Sequence, residues 1–127
     1  MTESDTAFKR APISPGYAES IRIPVGQLVA LLQATLGTAL VAHICGVSDR
    51  SAISEWAAGT RAPRIDAETR IRLAYRVVAT LQATETDHTI RPWFIGLNPM
   101  LDEAPAEAIL KDRERDVLMA AQAFTRL

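Results

Sequence analysis

Four carboxylates lie close together near the C-terminal end of the chain: Asp102, Glu103, Glu107 and Asp112. Paired carboxylates can act as general acid and general base. Such a role needs a substrate site or a nucleophile beside them, and the sequence shows no Ser-His or Cys-His pairing and no Gly-rich phosphate loop. Charge on a solvated face, or in the first turn of a helix, explains these acids better. We therefore expect no enzyme.

The residues that bind metals or carry thiol chemistry are few. The chain has two histidines, His43 and His88, and a single cysteine, Cys45. These side chains do not make a zinc ligand set. Cys45 lies in the apolar run VAHIC, where a cysteine behaves as a small buried hydrophobic residue. We expect no metal and no cofactor.

Length and charge limit the remaining classes of protein. A chain of 127 residues fits one domain or two very small ones, and its formal net charge is −1. Residues 37–95 carry seven arginines against six acids, a net of +1, whereas residues 96–127 carry four basic residues against six acids, a net of −2. Any basic surface is therefore weak and lies in the middle of the chain. No stretch is long and apolar enough for a membrane helix, and the start, MTESDTAFKR, is no secretory signal, so we expect a cytoplasmic protein.

Helical periodicity accounts for most of the chain from Pro24 onward. Apolar residues recur at helical spacing from Val25 to Leu36, and glycines follow at 37, 46 and 59. We expect Thr38 to cap a second helix, the stretch SDRS to open a third with a capping residue, and Asp66 to cap a longer one. Shorter helices are expected around residues 90–96, after Pro105 and over 112–126. The sequence predicts an all-α fold of about seven short helices, preceded by a mobile tail at residues 1–20.

The stretch TALVAHICGVSDRSAISEWAAGTRAP predicts two short helices joined by a tight turn. Gly46 stands where the chain leaves the first helix, with an expected positive φ, and Ile53 and Trp56 bury one side of the second helix. A helix held in this way can enter a major groove with its N-terminal residues at the base edges. The candidate contacts to phosphates and bases are Ser48, Arg50, Ser51, Ser54, Arg61 and Arg64.

These residues resemble the Cro/C1 (Xre-type) helix-turn-helix family. The resemblance covers roughly residues 25–80 and rests on Ala42, Gly46, Val47, Ser48, Ile53, Trp56, Gly59 and Pro63. Most members of that family have one residue fewer between the glycine and the tryptophan, so a longer turn would rotate Arg50 and Ser51 away from the groove. With a local net charge of only +1, we expect operator DNA to be bound by a homodimer.

A second motif lies in PWFIGLNPMLDEAPAEAILKD, residues 92–112. Adjacent aromatics on a helix point about 100° apart, so one of Trp93 and Phe94 can be buried while the other faces outward; we expect Trp93 to be the core anchor. The motif consists of Trp93, Phe94, Asn98, Pro99, Leu101, Pro105 and a leucine or isoleucine at 109 or 110. It resembles the toxin-binding domain of the Xre/MbcA/ParS antitoxins. Leu97 stands where that family has proline, and Asp102 and Glu103 replace its glycine pair.

The resemblance implies an antitoxin of a type II toxin-antitoxin system. Such a protein covers the active site of a RES-domain toxin that destroys NAD, and it represses its own operon through the helix-turn-helix. The expected organisation is a DNA-binding domain at residues 21–84 and a toxin-binding domain at 85–127, in a higher toxin-antitoxin complex. We expect Asn98 and Pro99 to shape the loop. The expected toxin contacts are Asp102, Glu103, Arg113, Arg115 and Arg126.

Two other hypotheses remain open. The chain could be a stand-alone transcriptional regulator whose C-terminal part only dimerises, or an interaction module that does not bind DNA. An NAD-degrading toxin encoded next door would favour the antitoxin.

Overall fold

The computed structural model describes residues 16–126, and the regular structure in that range is helical. The all-α prediction is confirmed, with eight helices among the described residues where about seven were expected. The helices are α1 (Tyr17–Arg22), α2 (Val25–Leu36), α3 (Thr38–Cys45), α4 (Arg50–Ala58), α5 (Ile65–Gln82), α6 (Asp87–Ile95), α7 (Pro105–Leu110) and α8 (Glu114–Thr125). Within residues 16–126, no helix has the length and apolar character needed to cross a membrane.

The helix that the sequence did not predict is α1. Residues 17–20 were assigned to a mobile tail, and that assignment is wrong for them; residues 1–15 lie outside the described residues. Ser20 is buried, and Arg72 of α5 donates hydrogen bonds to the backbone oxygens of Ser20 and, at 3.1 Å, of Ile23. The ring of Tyr17 lies 4.9 Å from the guanidinium of Arg76, also on α5. So short a helix forms because α5 holds it, and local periodicity carries no sign of it.

Two predicted caps are displaced by one or two residues. Gly37, not Thr38, is the N-cap of α3, and the Thr38 hydroxyl accepts a hydrogen bond from the side-chain Nε2 of Gln33 at 3.2 Å. The N-cap of α5 is Arg64, whereas Asp66 lies inside the first turn and accepts from the Ala67 amide at 2.9 Å. An acidic residue in the first turn of a helix interacts with unpaired backbone amides and with the helix dipole, as an acidic N-cap does. The sequence therefore does not distinguish the two positions.

Helix α5 is the centre of the fold. It packs against α1, α2, α3, α6, α7 and α8. The predicted domain boundary between residues 84 and 85 falls in the turn after α5, and buried side chains on both sides of it, such as Ile71 and Val117, belong to one hydrophobic cluster. The two halves of the chain therefore share a core.

Cys45, at the end of α3, is part of that core. Burial raises the pKa of its thiol to about 12. The expectation of a small buried hydrophobic residue is confirmed.

Candidate functional site

Gly46, in the turn between α3 and α4, has the backbone conformation that the sequence predicts. Gly46 has a φ of 76°, in the left-handed region, and its amide donates to the carbonyl oxygen of His43 at 3.0 Å. The amide of Val47 donates to the carbonyl oxygen of Ala42, also at 3.0 Å, and its side chain packs against the core. These bonds close α3 as a glycine C-cap does, and the predicted positive φ is confirmed.

Helix α4 presents one polar face to solvent. Ala52, Ile53 and Trp56 are buried, as the apolar stripe predicts. The exposed side chains of α4 include four of polar or charged type: Arg50, Ser51, Ser54 and Glu55. The residues proposed for base contacts therefore lie on the outside of the molecule.

An acid occupies the N-terminus of α4. Oδ1 of Asp49 accepts from the Ser51 amide at 2.9 Å and from the Ser51 hydroxyl at 2.7 Å, and these bonds lower the pKa of Asp49. The Ser51 hydroxyl, a predicted phosphate donor, already donates to this carboxylate. Ser48 and Ser54 are exposed and make no side-chain hydrogen bond to another described residue. The carboxylate at the helix tip repels phosphate, so it lowers the affinity of α4 for any nucleic acid.

The basic residues of this surface are partly neutralised. Nη1 of Arg61 lies 3.2 Å from Oε1 of Glu55, whereas Arg50 and Arg64 form no ion pair with a described residue. The positive charges of these three arginines are offset by the negative charges of Asp49 and Glu55, so the net charge of the surface is +1. Phosphate neutralisation supplies much of the affinity of a DNA-binding surface, and a net charge of +1 provides little of it.

The loop after α6 is organised by Asn98. Its carboxamide oxygen accepts from the Met100 amide at 2.9 Å, and its backbone oxygen accepts from the amides of Leu101 at 3.0 Å and Asp102 at 2.8 Å. Its own amide donates to the carbonyl oxygen of Glu103 at 3.0 Å. The prediction that Asn98 shapes the loop is confirmed.

The remaining motif residues divide between core and surface. Leu101 and Pro105 are buried, Pro105 at the first position of α7, while Pro99 is exposed. Asp102 has a φ of 61°, so it occupies the left-handed conformation that a glycine of the resembled family would adopt with least strain. Glu103 has no positive φ. Of these two positions, only 102 needs the left-handed conformation, and an aspartate, which tolerates that region better than most residues, stands there.

Two of the predicted toxin contacts bind to each other. Oε2 of Glu103 lies 2.6 Å from Nη1 of Arg113, and Oε1 lies 2.6 Å from Nζ of Lys111. Arg113 also donates to the carbonyl oxygen of Leu101 at 2.9 Å. Hydrogen bonds from Lys111 and Arg113 lower the pKa of Glu103, and the bond to Glu103 raises that of Arg113. Glu103 and Arg113 thus fasten the loop to the start of α8.

The other three predicted toxin contacts remain outside this network. Asp102, Arg115 and Arg126 are exposed, and their side chains form no ion pair with a described residue. They are the members of the predicted set that are accessible to a partner.

The core anchor of α6 is Phe94, and the prediction of Trp93 for that role is wrong. Phe94 is fully buried, together with Ile90 one turn earlier, whereas Trp93 is half-buried at the edge of the cluster. Residues four apart lie on one face of a helix, so Ile90 and Phe94 define the inward side, and Trp93 falls beside it. The Trp93 and Phe94 rings meet edge to face, with centroids 5.4 Å apart.

Exposed apolar side chains adjoin the loop after α6, and Ile95, Leu97 and Met100 among them were not predicted as site residues. Ile95, Leu97 and Met100 are 59%, 75% and 56% exposed. Beside them lies a shallow pocket of about 310 Å³ that is lined by Thr89, Pro92, Trp93, Gly96, Leu97, Asn98 and Phe124. We call Ile95, Leu97, Met100 and this pocket the apolar corner. A sequence signal existed: three large apolar residues lie next to the turn-forming residues Gly96, Asn98 and Pro99, where side chains tend to be exposed.

No protein-family model, curated protein or solved structure matches this chain.

Proposed function

We propose that this protein is a cytoplasmic antitoxin that neutralises a RES-domain, NAD-degrading toxin and represses its own operon through α3 and α4. The observation that carries the proposal is the order of two surfaces along one chain. A solvent-facing helix that begins with Arg50 and Ser51 comes first, and a loop shaped by Asn98 with exposed apolar side chains beside it follows. In the antitoxin family that the sequence resembles, a helix-turn-helix and a toxin-binding motif follow each other in the same order.

The apolar corner is the surface best suited to a protein partner. Exposed groups of large apolar side chains mark protein-binding surfaces more often than isolated ones do. Burial of Leu97 and its neighbours would supply affinity, and Asp102, Arg115 and Arg126 would contribute charged contacts. Glu103 and Arg113 would act indirectly, because they fasten the loop.

A growth assay tests the toxin half of the proposal. The candidate toxin would be a RES-domain protein encoded beside this chain; co-expression with it should restore growth and the cellular NAD content. Removal of residues 112–127 would be a poor probe, because it deletes Val117, Ala120 and Ala121 from the core. A surface substitution, Leu97→Ser, should weaken rescue, while Ile65→Ser, at a position 82% exposed, should preserve it. Full rescue by Leu97→Ser would place the inhibitory surface elsewhere.

A DNA titration tests the other half. Binding to the DNA upstream of the operon should be measured at two salt concentrations, with and without the toxin. Because the exposed surface of α4 carries little net charge, we expect weak binding by the chain alone and a shallow salt dependence. An absence of salt-sensitive binding in both cases would rule out the repressor function.

The main alternative is a stand-alone regulator that dimerises through its C-terminal half. The observation that favours it is the exposure of the apolar corner, which a second copy of the chain would bury. In that case Leu97→Ser would convert a dimer to a monomer in sedimentation experiments, and no toxin would be encoded nearby.

A further inference from the structure

The turn between α3 and α4 lies against the C-terminal half of the chain. A methyl group on Gly46 would come 3.3 Å from Cδ1 of Leu110, the last residue of α7, and 3.4 Å from Nη1 of Arg70 on α5. Both distances are at the limit of normal contact. One side of the turn is therefore in contact with residues that are distant from it in sequence.

Arg70 connects the two sides of this contact. Its Nη1 donates to the carbonyl oxygen of Cys45 at 3.4 Å, at the end of α3. Its Nε and Nη2 donate to the two carboxylate oxygens of Asp112 at 3.2 and 3.3 Å. A planar guanidinium in a bidentate pair with a carboxylate has a fixed orientation. The side chain of Arg70 is only 14% exposed, so its surroundings restrain it further.

Asp112 is fixed on its own side as well. Its φ of 60° places it in the left-handed region, and its amide donates to the carbonyl oxygen of Ile109 at 2.9 Å. A second polar contact joins α3 directly to α7, since Nε2 of His43 on α3 lies 2.5 Å from Oε2 of Glu107 in the first turn of α7. Helix α3 is thus held to the start of α7 and, through Arg70, to Asp112 just after its end.

We propose that Arg70 is a positioning residue that ties the α3–α4 turn to residues 110–112, so that binding at the C-terminal half and binding at α4 are coupled. A partner that stabilises residues 110–112 holds the turn in place and raises the affinity of α4 for DNA. By thermodynamic linkage, DNA raises the affinity for the partner by the same factor. The identity of the two ligands rests on the proposed function, but the link through Arg70 does not.

Amide hydrogen exchange in the whole chain tests the link without any ligand. Asp112→Asn removes the charge while asparagine accepts the left-handed conformation. The matched control is Glu114→Gln, which breaks another pair between α5 and the start of α8, Arg76–Glu114 at 3.1 Å. We expect the amides of Gly46 and Val47 to exchange about two- to fivefold faster in Asp112→Asn, the factor of one well-formed surface ion pair, and to be unchanged in Glu114→Gln. Equal exchange in the two variants overturns the proposal.

The sign of the effect on DNA binding supplies a second test. Loss of an acid should by charge alone tighten binding to DNA. Glu114→Gln should follow that rule, whereas Asp112→Asn should bind a duplex of the upstream operon sequence more weakly than the wild type does. Tighter binding by Asp112→Asn overturns the coupling. If the wild type binds no duplex even at low salt, the proposed repressor function is wrong. The hydrogen-exchange measurement then still tests the structural link through Arg70.

Discussion

Gly26 of α2 lies so close to the end of α4 that a methyl group on it would come 2.8 Å from the carbonyl oxygen of Trp56. The opposing atom belongs to the backbone of a helix, so it cannot rotate away. Gly26→Ala should therefore separate the two helices and destabilise the protein by about 1–3 kcal/mol. Chemical denaturation measures the loss. Gly59→Ala is an informative comparison, because its methyl group would meet no atom within 4 Å and only its positive φ would be strained. A stability of Gly26→Ala equal to that of the wild type would contradict the close contact.

The left-handed conformation of Asp102 predicts a stabilising substitution. Asp102→Gly relieves the strain of a φ of 61° and removes no side-chain hydrogen bond to a described residue. We expect a gain of about 0.5–1 kcal/mol in the free energy of unfolding. Glu103→Gly, at the next residue, should lose stability because it removes the contacts to Lys111 and Arg113. Thermal unfolding measures both changes in stability. A gain for Asp102→Gly and a loss for Glu103→Gly would show that position 102 is the one that favours glycine.

The carboxylate of Asp49 predicts an increase in affinity from a conservative change. Asparagine caps helices as well as aspartate does, so Asp49→Asn should leave α4 folded. It removes the negative charge from the helix tip, and binding to a random-sequence duplex at low salt should tighten about two- to fivefold. Fluorescence anisotropy measures this. Asp87→Asn, at the start of α6, changes the net charge equally; a similar gain there would mean that only the overall charge matters.

The pKa of Glu103 predicts how stability depends on pH. Hydrogen bonds from Lys111 and Arg113 hold this pKa below its ordinary value of 4.5 in the folded protein. The stabilisation is therefore present above that ordinary value and is lost as the pH falls through the folded-state pKa. Wild type and Glu103→Gln should differ in melting temperature at pH 7 and converge as the pH falls below 4.5. Glu19→Gln, whose side chain has no partner among residues 16–126, should show no such convergence.

Cys45 predicts slow thiol chemistry. Its thiol is buried and its pKa is about 12, so almost no thiolate is present at neutral pH. A maleimide should label the native protein far more slowly than the protein in denaturant, in proportion to the fraction of molecules that open. Rapid labelling under native conditions would show that the end of α3 is loosely packed.

The sequence predicts those features that depend on local pattern. The positive φ of Gly46 and the polar face of α4 follow from spacing and residue type. The choice between Trp93 and Phe94 does not follow in this way, because either aromatic ring can fill a core position and only the position of Ile90 in the folded core decides. Helix α1 was missed for a related reason, since Arg72 holds it from a distant part of the chain.

Long-range pairing is the part of the candidate site that the sequence does not predict. Glu103 and Arg113 have the residue types of an interface, and their separation in sequence does not reveal that they bind each other. Ser51 differs, because its bond to Asp49 spans only two residues and a capping analysis of SDRS would have found it.

The packing of α5 on helices from both sides of residue 84 has a consequence for how such a protein can change during evolution. A recombination event that joined its N-terminal half to the C-terminal half of another protein would leave buried side chains such as Ile71 and Val117 without their matched neighbours. Hybrid genes made at this boundary should give insoluble products. New partner preferences would then arise one codon at a time, at rim positions such as Leu97 and Arg115, and the two binding functions would be inherited together.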